Sequence, residues 1–156
     1  MRPFPILCLS LSVFFVSCGS DESTTDTDTQ NTASFPIADG PVSGLFADEA
    51  WTVTRGITGG LLGVELCSDA ATDCEPCEGK QLNFSLPDAP GSVTLAAGGP
   101  SVNFYDGGGA NVNAGTGVIV FDNVDGDTLT GGLFASYPYS SKAYEVSGRF
   151  TIKNCD

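Results

Sequence analysis

Residues 35–156 predict an all-β domain: an antiparallel β-sandwich or a partly closed barrel of about eight or nine strands. Three observations carry this. Apolar and polar residues alternate at period two in short runs, glycine and Ser/Thr clusters punctuate those runs, and no window of about a dozen residues shows helical periodicity.

Taken in order, Trp51, Val53 and Ile57 alternate with Thr52, Thr54, Gly56 and Thr58. Arg55 falls on the apolar side of that run, which predicts a bulge or a sheet edge there. Leu62, Val64 and Leu66 alternate with Gly63, Glu65 and Cys67; Leu82, Phe84 and Leu86 form the next set, followed by Val93 with Leu95 and Val102 with Phe104. Val118 to Phe121 is apolar at every position, as expected of a strand buried on both faces. Tyr144, Val146, Phe150 and Ile152 alternate with Glu145, Ser147, Arg149, Thr151 and Lys153. Between these two strands, Asn123-Val124-Asp125-Gly126-Asp127 has the residues of a hairpin turn.

The chain before the domain divides in two. Residues 1–17 carry one basic residue, Arg2, and an apolar run from Phe4 to Val16, the pattern of a secretory signal. The run falls short of the roughly 20 apolar residues that span a bilayer. At its end, Phe15-Val16-Ser17-Cys18 resembles a bacterial lipoprotein signal, with Phe15 where Leu is usual. That resemblance implies that the Cys18 thiol receives a diacylglycerol and becomes the new N-terminus. Several buried acyl chains, at about 0.8 kcal/mol per CH₂, would then hold the protein in a membrane. Gly19 rather than Asp after the cysteine favours, by the same resemblance, the outer membrane. Ser20-Asp21-Glu22 is similar to signals that send some lipoproteins to the cell surface, and also suits an ordinary acidic linker. Residues 18–34 then read as the acylated cysteine and a solvated tether: Gly19 to Ser34 holds no large apolar residue, and Asp21, Glu22, Asp26 and Asp28 repel one another.

The end of the domain, from Gly115 to Cys155, is similar to small secreted or lipid-anchored bacterial β-domains of unassigned function. They end in an Asp-Gly hairpin and two Gly-x-Phe strands joined by a polar loop. Val42-Ser43-Gly44 through Trp51 is similar to their first hairpin. The resemblance implies a fold and no activity.

Composition excludes several functions. With Arg2 lost, five basic residues face 19 acidic ones, a net charge of −14, which argues against nucleic acid and anionic lipid as partners. The chain has no histidine, so Ser-His-Asp and Cys-His catalysis and His-ligated zinc are excluded. No cofactor motif is present.

Cys67, Cys74, Cys77 and Cys155 of an exported domain predict two disulfides with three possible pairings, one bridge joining the loop after Leu66 to Cys155. Cys74-Glu75-Pro76-Cys77 has the spacing of a redox pair, and the four thiols those of a zinc site, but neither the helix nor the second close pair that such sites use is visible.

Two weaker candidates remain. Asp122, Asp125 and Asp127 offer calcium-type oxygens, at a spacing that hairpin chemistry also explains. Tyr137 and Tyr139 place aromatic rings at a loop, where they could stack on sugars or contact a protein. Asp106-Gly107-Gly108-Gly109 reads as a flexible connection. The expectation is a lipid-anchored outer-membrane or cell-surface domain with a non-enzymatic structural or interaction role. The alternative is a glycan- or calcium-binding module using the Tyr137–Tyr139 loop or the Asp122–Asp127 turn.

Overall fold

The computed structural model describes residues 35–59, 62–72 and 74–155. Among them are eleven strands: β1 (Ser43–Phe46), β2 (Glu49–Thr52), β3 (Arg55–Gly59), β4 (Gly63–Cys67), β5 (Gln81–Ser85), β6 (Gly91–Ala96), β7 (Val102–Tyr105), β8 (Asn111–Ala114), β9 (Thr116–Asn123), β10 (Thr128–Tyr139) and β11 (Lys142–Lys153). Nine of them follow the order β6-β9-β10-β11-β3-β4-β5-β7-β8, curling into a nearly closed barrel. The β1–β2 hairpin joins through β1, which pairs with β11. All these pairings are antiparallel except β11 with β3, which meet in parallel at Lys153 and Ile57.

The barrel is filled from opposite walls. Phe84 of β5, Phe121 of β9 and Phe150 of β11 form a triangle with ring centroids 5.5–6.1 Å apart. A second cluster joins Phe46, Trp51, Phe104 and Tyr144, so the β1–β2 hairpin adds its rings to the core. All seven are buried, and each such ring removes about 150–250 Å² from water. On β11 the alternation holds throughout, Tyr144, Val146, Phe150 and Ile152 facing in.

The run from Trp51 to Thr58 is not one strand. It breaks at Val53 and Thr54, whose N–H groups donate to Val42 and Cys67 rather than to a single neighbour. Across the break the facing inverts. Arg55 and Ile57 pair with Cys67 and Glu65 on the outer face, while Gly56 and Thr58 pair with Leu66 and Val64 on the inner one. Arg55 therefore needs neither a bulge nor a free edge. Gly56 is small for a packing reason: a Cβ there would lie 2.9 Å from Leu66 Cδ2 and 3.0 Å from Ile152 Cγ1.

Val118 and Val120 are half-buried rather than enclosed on both sides. Their face of the sheet is partly covered by the chain before β1. Phe35 stacks on Phe134 at 5.4 Å, and Ser147 Oγ accepts from Ala38 N and donates to the Pro36 carbonyl. The hairpin at Asn123–Asp127 forms as expected, with a bulge at Asp122 because Thr130 pairs with Asn123 and Gly131 with Phe121. The expected polar loop around Tyr137 and Tyr139 is instead strand, since β10 and β11 stay paired to the end, Tyr139 opposite Lys142.

The tip of that hairpin is Ser140-Ser141, both with positive φ, 51° and 63°. A two-residue turn of this type favours Asn-Gly, because other side chains are strained there. Replacing Ser140→Asn together with Ser141→Gly is expected to stabilise the domain by about 1 kcal/mol, raising Tm by about 4 °C in a thermal melt. A lowered Tm would show that the serines make compensating contacts.

Candidate functional site

The outer face of β4, β5, β7 and β8 carries a groove of about 500 Å³ lined by Leu62, Glu65, Gln81, Asn83, Asn103, Tyr105, Asn111 and Asn113. Its origin is the pleat. Val64, Leu66, Leu82, Phe84, Val102, Phe104, Val112 and Ala114 point into the barrel, so the residues between them must point out. Register then sorts these into two rows across the strands. Glu65, Asn83, Asn103 and Asn113 lie side by side in one, and Cys67, Gln81, Tyr105 and Asn111 in the other.

These side chains are held in place. Glu65, Gln81 and Asn103 are each only 8% exposed. Gln81 Nε2 donates to Asn83 Oδ1 at 3.0 Å, and Asn103 Nδ2 donates to Asn113 Oδ1 at 3.0 Å. Each amide thus spends one group on its neighbour. Gln81 Oε1, Asn83 Nδ2, Asn103 Oδ1 and Asn113 Nδ2 have no protein partner among the described residues, giving an acceptor and a donor on β5, an acceptor on β7 and a donor on β8. Glu65 is the only carboxyl group among the described lining residues, and none of them is a cation.

Next to the groove lies the loop between β4 and β5, which is heavily tied and touches the lining through Glu65. Among the described residues, Cys67–Cys77 and Cys74–Cys155 form disulfides, with Cα atoms 5.4 and 5.7 Å apart, so the predicted link from this loop to Cys155 runs through Cys74. Arg55 grips the same loop from below. Its Nε and Nη2 donate to the two oxygens of Asp69 at 2.7 and 3.1 Å, and its other N–H groups to the carbonyls of Glu75 and Pro76. The Arg55 hydrogen bond, with the N–H groups of Glu78 and Ala71, holds the Asp69 carboxyl below its ordinary value of 3.8. Thus secured, the loop aims the Cys77 N–H at Glu65 Oε2, 3.2 Å away, and positions that carboxylate in the groove. At the same end, where Gly107 packs against Gly79, Asp106 Oδ1 accepts from the N–H groups of Gly108 and Ala110, so the β7–β8 connection is a closed turn rather than a loose one.

Other candidates fall elsewhere. Cys74 and Cys77 are not bonded to each other. Among the described residues, the one trio of metal-ligand atoms within 4.8 Å is Cys67, Asp69 and Cys77, whose sulfurs share a disulfide and whose carboxylate holds Arg55. Asp122, Asp125 and Asp127 form no such trio. Asp122 pairs with Arg149, and the turn is closed by Asn123, which bonds Thr130 N and the Asp125 and Thr128 carbonyls. Tyr137 and Tyr139 are exposed and stacked, centroids 6.4 Å apart. Tyr137 lines a second cavity, of about 310 Å³, that shares Asn113 with the groove. Cys18 lies outside the described residues.

Sequence reasoning missed the groove, although a signal was present. Gln81, Asn83, Asn103, Asn111 and Asn113 sit between core residues in strand-like runs, where Asn is disfavoured and Thr or Val usual.

The Arg55–Asp69 pair sets an acid dependence. Because the folded-state value of Asp69 is depressed, its contribution is fully present above the unfolded value and is lost as pH falls through the folded one. Asp69→Asn should cost about 2 kcal/mol at pH 7. Below about pH 5 the wild type should lose stability faster than the variant, the two converging at the acid end, as thermal melts from neutral to low pH would record. Parallel curves would assign the acid dependence to other groups.

In comparisons with known proteins, no family model, no curated protein and no solved structure matches the chain.

Proposed function

We propose that this chain is an exported, lipid-anchored interaction domain that binds its ligand in the groove on β4, β5, β7 and β8 and performs no chemistry on it. One observation carries the reading: carboxamides with unpaired donors and acceptors, three of the groove's polar side chains being more than nine-tenths buried, on a sheet face where a merely solvated surface would carry mobile charged or Thr side chains. Binding fits better than hydrolysis because acid–base cleavage of a glycosidic bond takes two facing carboxyl groups, and the described groove lining has Glu65 alone. The anchor at Cys18 rests on the signal-like sequence, and outer-membrane or surface placement on the residues that follow it.

Two measurements test this. Intact mass spectrometry on protein from its native membrane should find an acylated N-terminal Cys18, while an unmodified Met1 would remove the anchor. A photo-reactive phenylalanine at Asn111, on the exposed groove rim, should form adducts in the native envelope that the same probe at Glu145, exposed on β11, does not. Equal labelling at both positions would overturn the groove as the working surface.

A further inference from the structure

We infer that the ligand of this groove is a neutral oligosaccharide, its chain running from Leu62 and Glu65 across the carboxamides towards Tyr137. The inference rests on the groove being the working surface, and it names the chemistry that surface selects.

A sugar hydroxyl donates one hydrogen bond and accepts others, so it is best met by a donor beside an acceptor. The groove offers that alternation from strand to strand along one row: the second carboxylate oxygen of Glu65 on β4, Asn83 Nδ2 on β5, Asn103 Oδ1 on β7 and Asn113 Nδ2 on β8, with Gln81 Oε1 beside Asn83 on β5. Strands lie about 4.8 Å apart, so the row presents a periodic ladder of polar groups rather than one isolated contact. Burial of Gln81 and Asn103, and the hydrogen bonds that tie Asn83 and Asn113 to them, hold these amides before any ligand arrives, which lowers the ordering cost of binding.

Charge removes the competing small ligands. No Lys or Arg lines either cavity among the described residues, Glu65 is acidic, and the chain carries a net charge of −13. Phosphates, uronic acids and sulfated sugars would meet repulsion without a compensating cation. Size agrees as well, since about 500 Å³ lies within the roughly 300–1,000 Å³ of small-ligand sites.

The apolar contribution comes from the ends. Tyr105 and Leu62 line the groove, and Tyr137 lines the adjoining cavity across Asn113, with Tyr139 stacked behind it. Aromatic rings at such positions pack on the C–H faces of sugar rings while the amides take the hydroxyls. Two cavities sharing one residue suit a chain of several sugar units better than a single one.

The test is calorimetry on the full chain, disulfides intact and in detergent, with cello-, malto-, manno- and chitohexaose, and with oligogalacturonate as the acidic counterpart. At least one neutral hexasaccharide should bind at millimolar concentration or below, and oligogalacturonate should not. Asn83→Ala and Asn103→Ala should each weaken binding about tenfold, the effect of losing one or two buried hydrogen bonds. Tyr137→Ala should weaken it as well, and Asp125→Asn, on the opposite hairpin, should not. If Asn103→Ala does not fold, Asn113→Ala, at an exposed position, replaces it. Binding by none of the neutral sugars, preference for the acidic one, or indifference to every groove substitution would each overturn the inference. A negative sugar panel with a protease-sensitive adduct at Asn111 would make the ligand a polypeptide, overturning the glycan while leaving the groove as the binding surface. A negative panel with no adduct would remove both.

Discussion

The packing of Phe84, Phe121 and Phe150 across the barrel is the constraint on which the other features depend. Strands β5 and β9 stand on opposite walls, and a ring from each meets the ring from β11 between them. Once those rings are inside, the period-two pleat leaves no freedom. Leu82 and Phe84 inside put Gln81 and Asn83 outside, and pairing with β7 and β8 carries the same parity to Asn103, Tyr105, Asn111 and Asn113. A slip of one residue in any of these strands would bury an amide row and expose a core row. The polar face is thus as strongly specified as the core beneath it.

The loop between β4 and β5 needs a different device, because it has little apolar surface to bury. In the chain-entropy view, the Cys74–Cys155 bridge, 81 residues apart, stabilises the fold by about 4–5 kcal/mol and the Cys67–Cys77 bridge, 10 apart, by about 2–3 kcal/mol. Neither alone would orient the loop. Arg55 does that, since its planar guanidinium meets the Asp69 carboxylate along two parallel bonds and the carbonyls of Glu75 and Pro76 along others. The inverted facing of β3 is what makes this available. Had Arg55 followed the parity of Trp51 and Val53, it would point into the barrel without a partner.

Much of the architecture was legible because alternation and turn chemistry are local. The faces of β11 and the hairpin at Asn123–Asp127 can both be anticipated from neighbouring residues, whereas the link to Cys155 was one of three pairings that four cysteines allow. What escaped depends on distant partners. The break at Val53 exists because Val42 and Cys67, far apart in sequence, claim consecutive N–H groups. The strand β8 hides behind three glycines and two asparagines, and only pairing with β7 makes Asn111–Ala114 extended. Tyr137 and Tyr139 looked like loop residues because their serine neighbours suggest one, whereas twelve paired residues on each side carry the ladder to the tip. The groove needs four strands in register, which no single segment discloses.

A conflict with local preference still marks the site. Asn loses more in a strand than Thr or Val does, because its amide competes with the backbone for hydrogen bonds. One such residue on a sheet face is unremarked; five carboxamides on three adjacent strands, meeting in two rows, amount to a cost repeated across the face. A solubilising surface would not require it, since Lys, Glu or Thr would serve with better strand propensity and more freedom. What carboxamides provide that those residues do not is a donor and an acceptor on one short, uncharged, rigid side chain. Where several are locked to one another and still leave alternate groups unpaired, the arrangement complements an uncharged ligand that itself alternates donors and acceptors. The local penalty therefore indicates both where the surface acts and the polarity of what it meets.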